Sequence, residues 1–155
     1  MTRANWLALL IPAALLAGAW GSQLIGGLYP CEMCHWQRWP HYGAVVFAAA
    51  AFLTNGTMRR VLIVLATLLI AVSGIIAVMH AGVEYRWWNG FTACTSPVAL
   101  EGTTAAERLD ALMRQPIVRC DSPQWSLLGI SLAGWNALFS LGGALTTLWL
   151  LRRAR

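Results

Sequence analysis

At 155 residues the chain has the length of one ordinary domain. Charged residues make up 11% of it and apolar ones 58%, whereas a soluble domain carries about 25% charged residues and needs them to cover its surface. The net charge of +5 comes from 11 basic and 6 acidic residues. Every basic residue is an arginine, and none of them cluster into the stripe that a nucleic-acid binder presents, so no nucleic acid is expected among the partners. Abundant apolar side chains, 9 Trp included, exclude a disordered chain. What remains is an integral membrane protein in contact with the lipid bilayer.

A helix needs about 20 mostly apolar residues to cross the hydrocarbon core. Four stretches free of Asp, Glu, Lys and Arg are long enough: Ala4 to Cys31, Trp39 to Met58, Val61 to Val83, and Ser122 to Leu151. Within them, spans are expected at 6–28, 40–57, 61–81 and 127–151, giving an all-α, four-helix membrane bundle that forms a single domain over 1–155. Pro12 falls early in the first span, where a neighbouring helix can accommodate it. Gly142 and Gly143 offer the last span a place for close helix contact.

Arg3, the pair Arg59-Arg60, and the group Arg152, Arg153 and Arg155 all fall on one side of this bundle. The positive-inside rule makes that side cytoplasmic, with both termini inside. Segments 29–39 and 83–125 then face the opposite, periplasmic side of a bacterial inner membrane. Met1 to Ser22 also has features of a signal peptide, but its apolar run is too long for one and is read as a span. In the long loop, Thr104-Ala-Ala-Glu107 has the form of a capping box, and Leu109, Leu112 and Met113 follow at helical spacing before Pro116. A short amphipathic helix is expected over 104–115, its apolar face suited to the membrane interface. Tyr85, Trp87, Trp88 and Trp125 flank the loop where an aromatic belt belongs.

The four cysteines, Cys31, Cys34, Cys94 and Cys120, all map to the periplasmic side, two in each loop. That compartment is oxidising, so paired rather than free thiols are expected. Cys31-Glu-Met-Cys34 is a C-x-x-C placed after Pro30 at a helix N-terminus, where a thiolate is stabilised. Arg38 lies one helical turn after Cys34 and brings a permanent positive charge to the same face, although an arginine there can also serve only as an interface anchor. Cys94 and Cys120 are too far apart for a zinc knuckle and lack the second C-x-x-C of a zinc ribbon. Alone, they read as a structural disulfide. Two pairs on one face instead suggest thiol–disulfide exchange between them. Of the three histidines, His80 falls near the end of the third span on the cysteine side, where a hydrogen-bonded interface residue is the plainer reading. His35 and His41 flank Arg38 but are not helix-spaced, which argues against haem or metal.

Pro30-Cys31-Glu-Met-Cys34-His-Trp-Gln37-Arg38 resembles the P-C-x-x-C-x-x-(Q/E)-R signature of the disulfide bond formation protein B (DsbB) family. His80-Ala-Gly-Val-Glu84 resembles the end of that family's third span, and Cys120-Asp-Ser-Pro-Gln-Trp125 through Gly134-Trp135-Asn136 the start of its fourth. The resemblance implies a four-helix inner-membrane oxidoreductase that reoxidises a periplasmic DsbA-type dithiol oxidase and passes electrons to the membrane quinone pool, ubiquinone or menaquinone. It implies disulfides Cys31–Cys34 and Cys94–Cys120. By position, Cys94 would form the mixed disulfide with the partner, Cys120 would attack Cys31, and Cys34 would react with the quinone ring. Arg38 and His80 would contact that ring. Physical chemistry agrees: a quinone gains negative charge on reduction, and a fixed cation at its carbonyl stabilises that charge in a low-dielectric site.

Three rivals make different expectations. A structural protein with inert disulfides would be indifferent to loss of Arg38 or Cys34. A haem or metal carrier would show a visible spectrum or bound metal. A thiol oxidase related to vitamin K epoxide reductase would carry its C-x-x-C late in the bundle, whereas here it precedes the second span.

Overall fold

The computed structural model describes residues 3–90, 104–114 and 118–153. Among these the chain is mainly helical: α1 (Arg3–Leu24), α2 (Glu32–Phe52), α3 (Gly56–Glu84), α4 (Ala105–Arg114) and α5 (Leu132–Arg153), with two short strands, β1 (Ser126–Leu127) and β2 (Ile130–Ser131), ahead of α5. Helices α1, α2, α3 and α5 lie against one another, and α3 is the centre of the set, packing most extensively on α2 and α5. By length and composition α1 and α3 can each cross a membrane.

The burial pattern is the reverse of a soluble protein's. On α3 the inward face is mostly small or polar, with Ala66, Thr67, Ser73, Gly74, Ala77 and His80 buried beside the larger Ile63, Ile70 and Val83. The outward face carries Val61, Leu65, Leu68, Val72, Ile75 and Met79, all exposed and spaced three or four residues apart. A core of Ala4, Ala8, Ala44, Ala48, Ala51, Ala66 and Ala144 around Ile63 and Ile70 lets the helices approach closely. Gly74 is one such approach, since a Cβ there would lie 2.8 Å from Leu141 of α5. Of the expected glycine pair, Gly143 packs against Ile11 of α1, whereas Gly142 faces open space.

Helix boundaries depart from the expected spans at several points. The turn between α2 and α3 falls at 53–55 rather than at Arg59-Arg60, which lie in the first turn and a half of α3, because Asn55 caps that helix in extended conformation. Helix α1 stops at Leu24 rather than near 28, because Gly26 sits over the Ser22 carbonyl and Gly27 takes φ +65°, which leaves the helix. Helix α2 starts at Glu32, well before 40, because Cys31 caps it in extended conformation and Pro40 is accommodated inside the helix. Residues 126–131 are not the first turns of the last helix. Leu128 and Gly129 both adopt positive φ (54° and 78°), making the two-residue turn of a hairpin with Leu127 opposite Ile130.

The short helix in the long loop is as expected. The Thr104 backbone N–H donates to Glu107 Oε2 at 3.1 Å and the Glu107 N–H to Thr104 Oγ1 at 3.2 Å, a reciprocal capping box. Leu109 and Met113 are exposed.

At the end of α3, Gly82 lies directly under the Trp88 indole, and a Cβ would fall 2.0 Å from that rigid ring. Trp88 is held there by donating Nε1–H to the Met79 carbonyl at 3.0 Å. Gly82→Ala is therefore expected to expel the indole and destabilise the fold by about 1–3 kcal/mol, read as a lower thermal midpoint in detergent; an unchanged midpoint would contradict this packing.

Candidate active site

The C-x-x-C is positioned by the start of α2. Cys31 is the N-cap, and its Sγ accepts from the Cys34 backbone N–H at 3.2 Å, the role usually filled by a serine or aspartate oxygen. This brings the two Sγ atoms to 2.6 Å, with neither bonded covalently. Both thiols precede the apolar stretch of α2. Hydrogen bonds to Cys120 and then Cys34, with burial added, hold the Cys31 thiol above its ordinary range. The bond from Cys31 pulls Cys34 below that range despite burial. Cys34 is thus the more acidic thiol of the pair, and it is also the less buried of the two.

The third cysteine comes from the far end of the chain. Cys120 is fully buried in a cluster with Cys31, Met33 and Val83, and the sulfurs of Cys31 and Cys120 and a ring nitrogen of His80 all lie within 4.8 Å of one another. Gln124 helps to fix this segment by donating to the Tyr29 carbonyl at 2.7 Å, which joins the two cysteine-bearing loops. On the flank, Arg119 makes a bidentate ion pair with Asp121 at 2.8 and 2.6 Å, and that bond holds the Asp121 carboxyl below its usual value. Cys94 and its expected pairing with Cys120 lie outside the described residues.

His80 stands behind Cys31, with Nε2 3.5 Å from its Sγ and 3.8 Å from Glu84 Oε1. Its other nitrogen, Nδ1, accepts from Gln37 Nε2 at 2.7 Å. An amide N–H can only donate, so a neutral His80 carries its proton on Nε2, directed at the sulfur and the carboxylate. Glu84 in turn accepts a short hydrogen bond from Ser131 Oγ, which ties the end of α3 to the hairpin before α5.

Arg38 is 8% exposed and is held by neutral groups: Nη1 donates to Gln23 Oε1 at 2.7 Å, Nη2 to the Ala19 carbonyl at 3.0 Å, and the guanidinium lies 5.4 Å from the Trp20 ring centre. Among the described residues it has no carboxylate partner, which leaves an uncompensated cation inside the fold. That arrangement is costly unless the charge is used.

Cys31, Cys34, Arg38 and His80 line one cavity of about 250 Å³ between α1, α2, α3 and α5, near the lower end of the range for small-molecule sites. Glu84, Gln37, His41 and Asn136 share its wall. The structure therefore brings three of the four expected cysteines and both expected contact residues to one place. It leaves His35 exposed and outside it. Sequence reasoning assigned no role to Gln37 or Asn136, although both stand in the quoted motifs, and it set His41 aside.

The family described as Disulfide bond formation protein DsbB matches residues 2–150. The chain belongs to the DsbB family. Similar curated proteins, each called Disulfide bond formation protein B, come from Stutzerimonas stutzeri (30% identity, covering 95% of this chain and 93% of the relative), Xanthomonas euvesicatoria (30%, 96% and 89%) and Marinobacter nauticus (32%, 86% and 81%). No solved structure gives a significant match. Family membership makes the chain a membrane-associated disulfide oxidoreductase with a role in disulfide bond formation.

Because the bond from Cys31 is the main cause of the lowered Cys34 pKa, alkylation of reduced Cys34 by iodoacetamide should titrate below the ordinary thiol range. In Cys31→Ala the midpoint should rise toward about 8.5. Identical midpoints in the two proteins, followed by mass spectrometry of the Cys34 peptide, would contradict the assignment.

Proposed function

We propose that this DsbB-family chain is a thiol:quinone oxidoreductase of the bacterial inner membrane. All four long helices cross the bilayer, with both termini cytoplasmic and the cysteines at the periplasmic face. The outward apolar face of α3, the small and polar interior, and the arginines at Arg3, Arg59-Arg60 and Arg152-Arg153 support that reading. Its donor is a reduced DsbA-type dithiol oxidase, and its acceptor is ubiquinone or menaquinone.

One observation carries the proposal: the Cys34 sulfur and the Arg38 cation, which has no carboxylate partner among the described residues, line the same cavity as Cys31 and His80, with Cys120 beside Cys31. When bound there, the quinone supplies a two-electron acceptor. Arg38 has donors and charge to offer a carbonyl oxygen, and in a water-poor wall those count for more than at a surface. His80 Nε2–H faces Cys31 and stabilises the thiolate form of that sulfur during exchange.

Electrons enter from the loop. The partner's thiolate attacks the Cys94–Cys120 disulfide at Cys94, and resolution of that mixed disulfide by the partner's second thiol releases it oxidised. The freed Cys120 thiolate attacks the Cys31–Cys34 disulfide at Cys31, forming a Cys31–Cys120 disulfide and releasing Cys34 as the thiolate facing the cavity; Cys94 then attacks Cys120, which re-forms Cys94–Cys120 and leaves both Cys31 and Cys34 reduced. Burial of Cys120 against Cys31 supports this direction of attack.

Anaerobic reduction of quinone by the purified protein, with a reduced DsbA-type dithiol as donor, tests the proposal. Turnover is expected in the unaltered protein and none in Cys34→Ser; a folded protein that turns over neither ubiquinone nor menaquinone would reject it. Cys94→Ser should abolish oxidation of the dithiol partner while Cys31 and Cys34 still react with quinone. Normal turnover in that variant would reject the role given to the loop.

A further inference from the structure

A polar cluster that the exchange chemistry does not use borders the cavity through His41 and Asn136. His41, 3% exposed on α2, and Trp135 on α5 both line the cavity. Around His41 Nε2 stand Ser73 Oγ at 2.9 Å, Asn136 Oδ1 at 3.1 Å and Ser140 Oγ at 3.4 Å. Asn136 Oδ1 can only accept, because its own amide N–H groups point to Gln37 Oε1 and Ser73. The two hydroxyl protons are committed elsewhere. Ser73 donates to the Gln37 carbonyl at 2.8 Å, and Ser140 donates to Asn136 Oδ1 at 2.8 Å.

Three acceptors therefore face Nε2, and that nitrogen must carry the ring's proton. The neutral His41 ring then has a bare lone pair at Nδ1. That atom is buried and, among the described residues, has no hydrogen-bond partner. The Trp135 indole N–H, which can only donate, is likewise buried without a partner. Unmatched buried polar atoms are rare and call for a reason. Here the two are complementary, one an acceptor and one a donor, on two residues that both line the cavity.

We infer that His41 Nδ1 and Trp135 Nε1 form a hydroxyl-recognising subsite, which favours a hydroquinone over the corresponding quinone. A carbonyl oxygen can satisfy only the indole donor. A hydroxyl accepts from the indole and donates to His41 Nδ1, so the reduced ligand matches both atoms. This rests on the quinone reading of the cavity and adds to it a wall that distinguishes the two redox forms of the ligand. His41 is a positioning residue in this scheme, remote from the sulfur chemistry.

Binding rather than turnover tests it. In a Cys34→Ser background, which prevents reaction, dissociation constants are measured anaerobically by calorimetry for short-tailed ubiquinone and menaquinone, each beside its quinol. His41→Phe should weaken the quinol about three- to tenfold, the effect of one buried neutral hydrogen bond, and leave the quinone within about twofold on the same principle. Trp135→Phe should weaken both forms. Equal weakening of both forms by His41→Phe, or no change in either, overturns the subsite and leaves the quinone reading standing. Failure of the Cys34→Ser parent to bind any of the four ligands overturns both. Should His41→Phe lose its fold, nitrogen NMR of the parent decides: an unprotonated Nδ1 that shifts with quinol but not with quinone is expected, and a protonated Nδ1 in the ligand-free protein overturns the inference.

Discussion

The side-chain amide of Gln37 holds the interior together. Its Nε2 donates to His80 Nδ1 and to the Met33 carbonyl, and its Oε1 accepts from Asn136. One residue on α2 thereby joins α3 and α5 and decides which nitrogen of His80 faces Cys31. In a fold whose outer surface is apolar, helices gain little from hydrophobic association with each other, and interhelical hydrogen bonds between polar groups set the register. Each such bond is worth about 0.6 kcal/mol on average in a membrane, so the value of the network is specificity more than stability.

The same constraint explains the position of the charged groups. A guanidinium inside a helical bundle must have acceptors, and Arg38 finds a carbonyl, an amide and an aromatic face from α1. None of these neutralises it. The residual positive potential falls on the cavity that also receives the Cys34 sulfur, where it favours negative charge on that sulfur. Glu84, in contact with His80, is engaged by Ser131 on its other side, so the hairpin before α5 and the end of α3 are fixed relative to each other.

Much of the site was legible in the sequence, for a physical reason. A C-x-x-C followed one turn later by an arginine is a local pattern, and helical periodicity alone puts those side chains on one face. The helix-length apolar runs and the capping box at Thr104 and Glu107 are also local, which is why the helices exist where the runs are. Boundaries were less legible. That Cys31 caps α2, that Pro40 lies within it, and that Leu128-Gly129 forms a hairpin turn depend on single dihedral angles that an apolar run does not encode.

The sequence by itself determined the class of protein and the helical face that carries Cys34 and Arg38, because composition and the 3.6-residue repeat act along the chain. Only the tertiary structure decided that Cys120 is buried against Cys31, some ninety residues away, that His80 is oriented by Gln37, and that His41 leaves one nitrogen unmatched in the cavity wall. Those are relations between helices. They follow from which small residues let the helices approach and which polar atoms find partners across the gap, and neither is a property of any one segment.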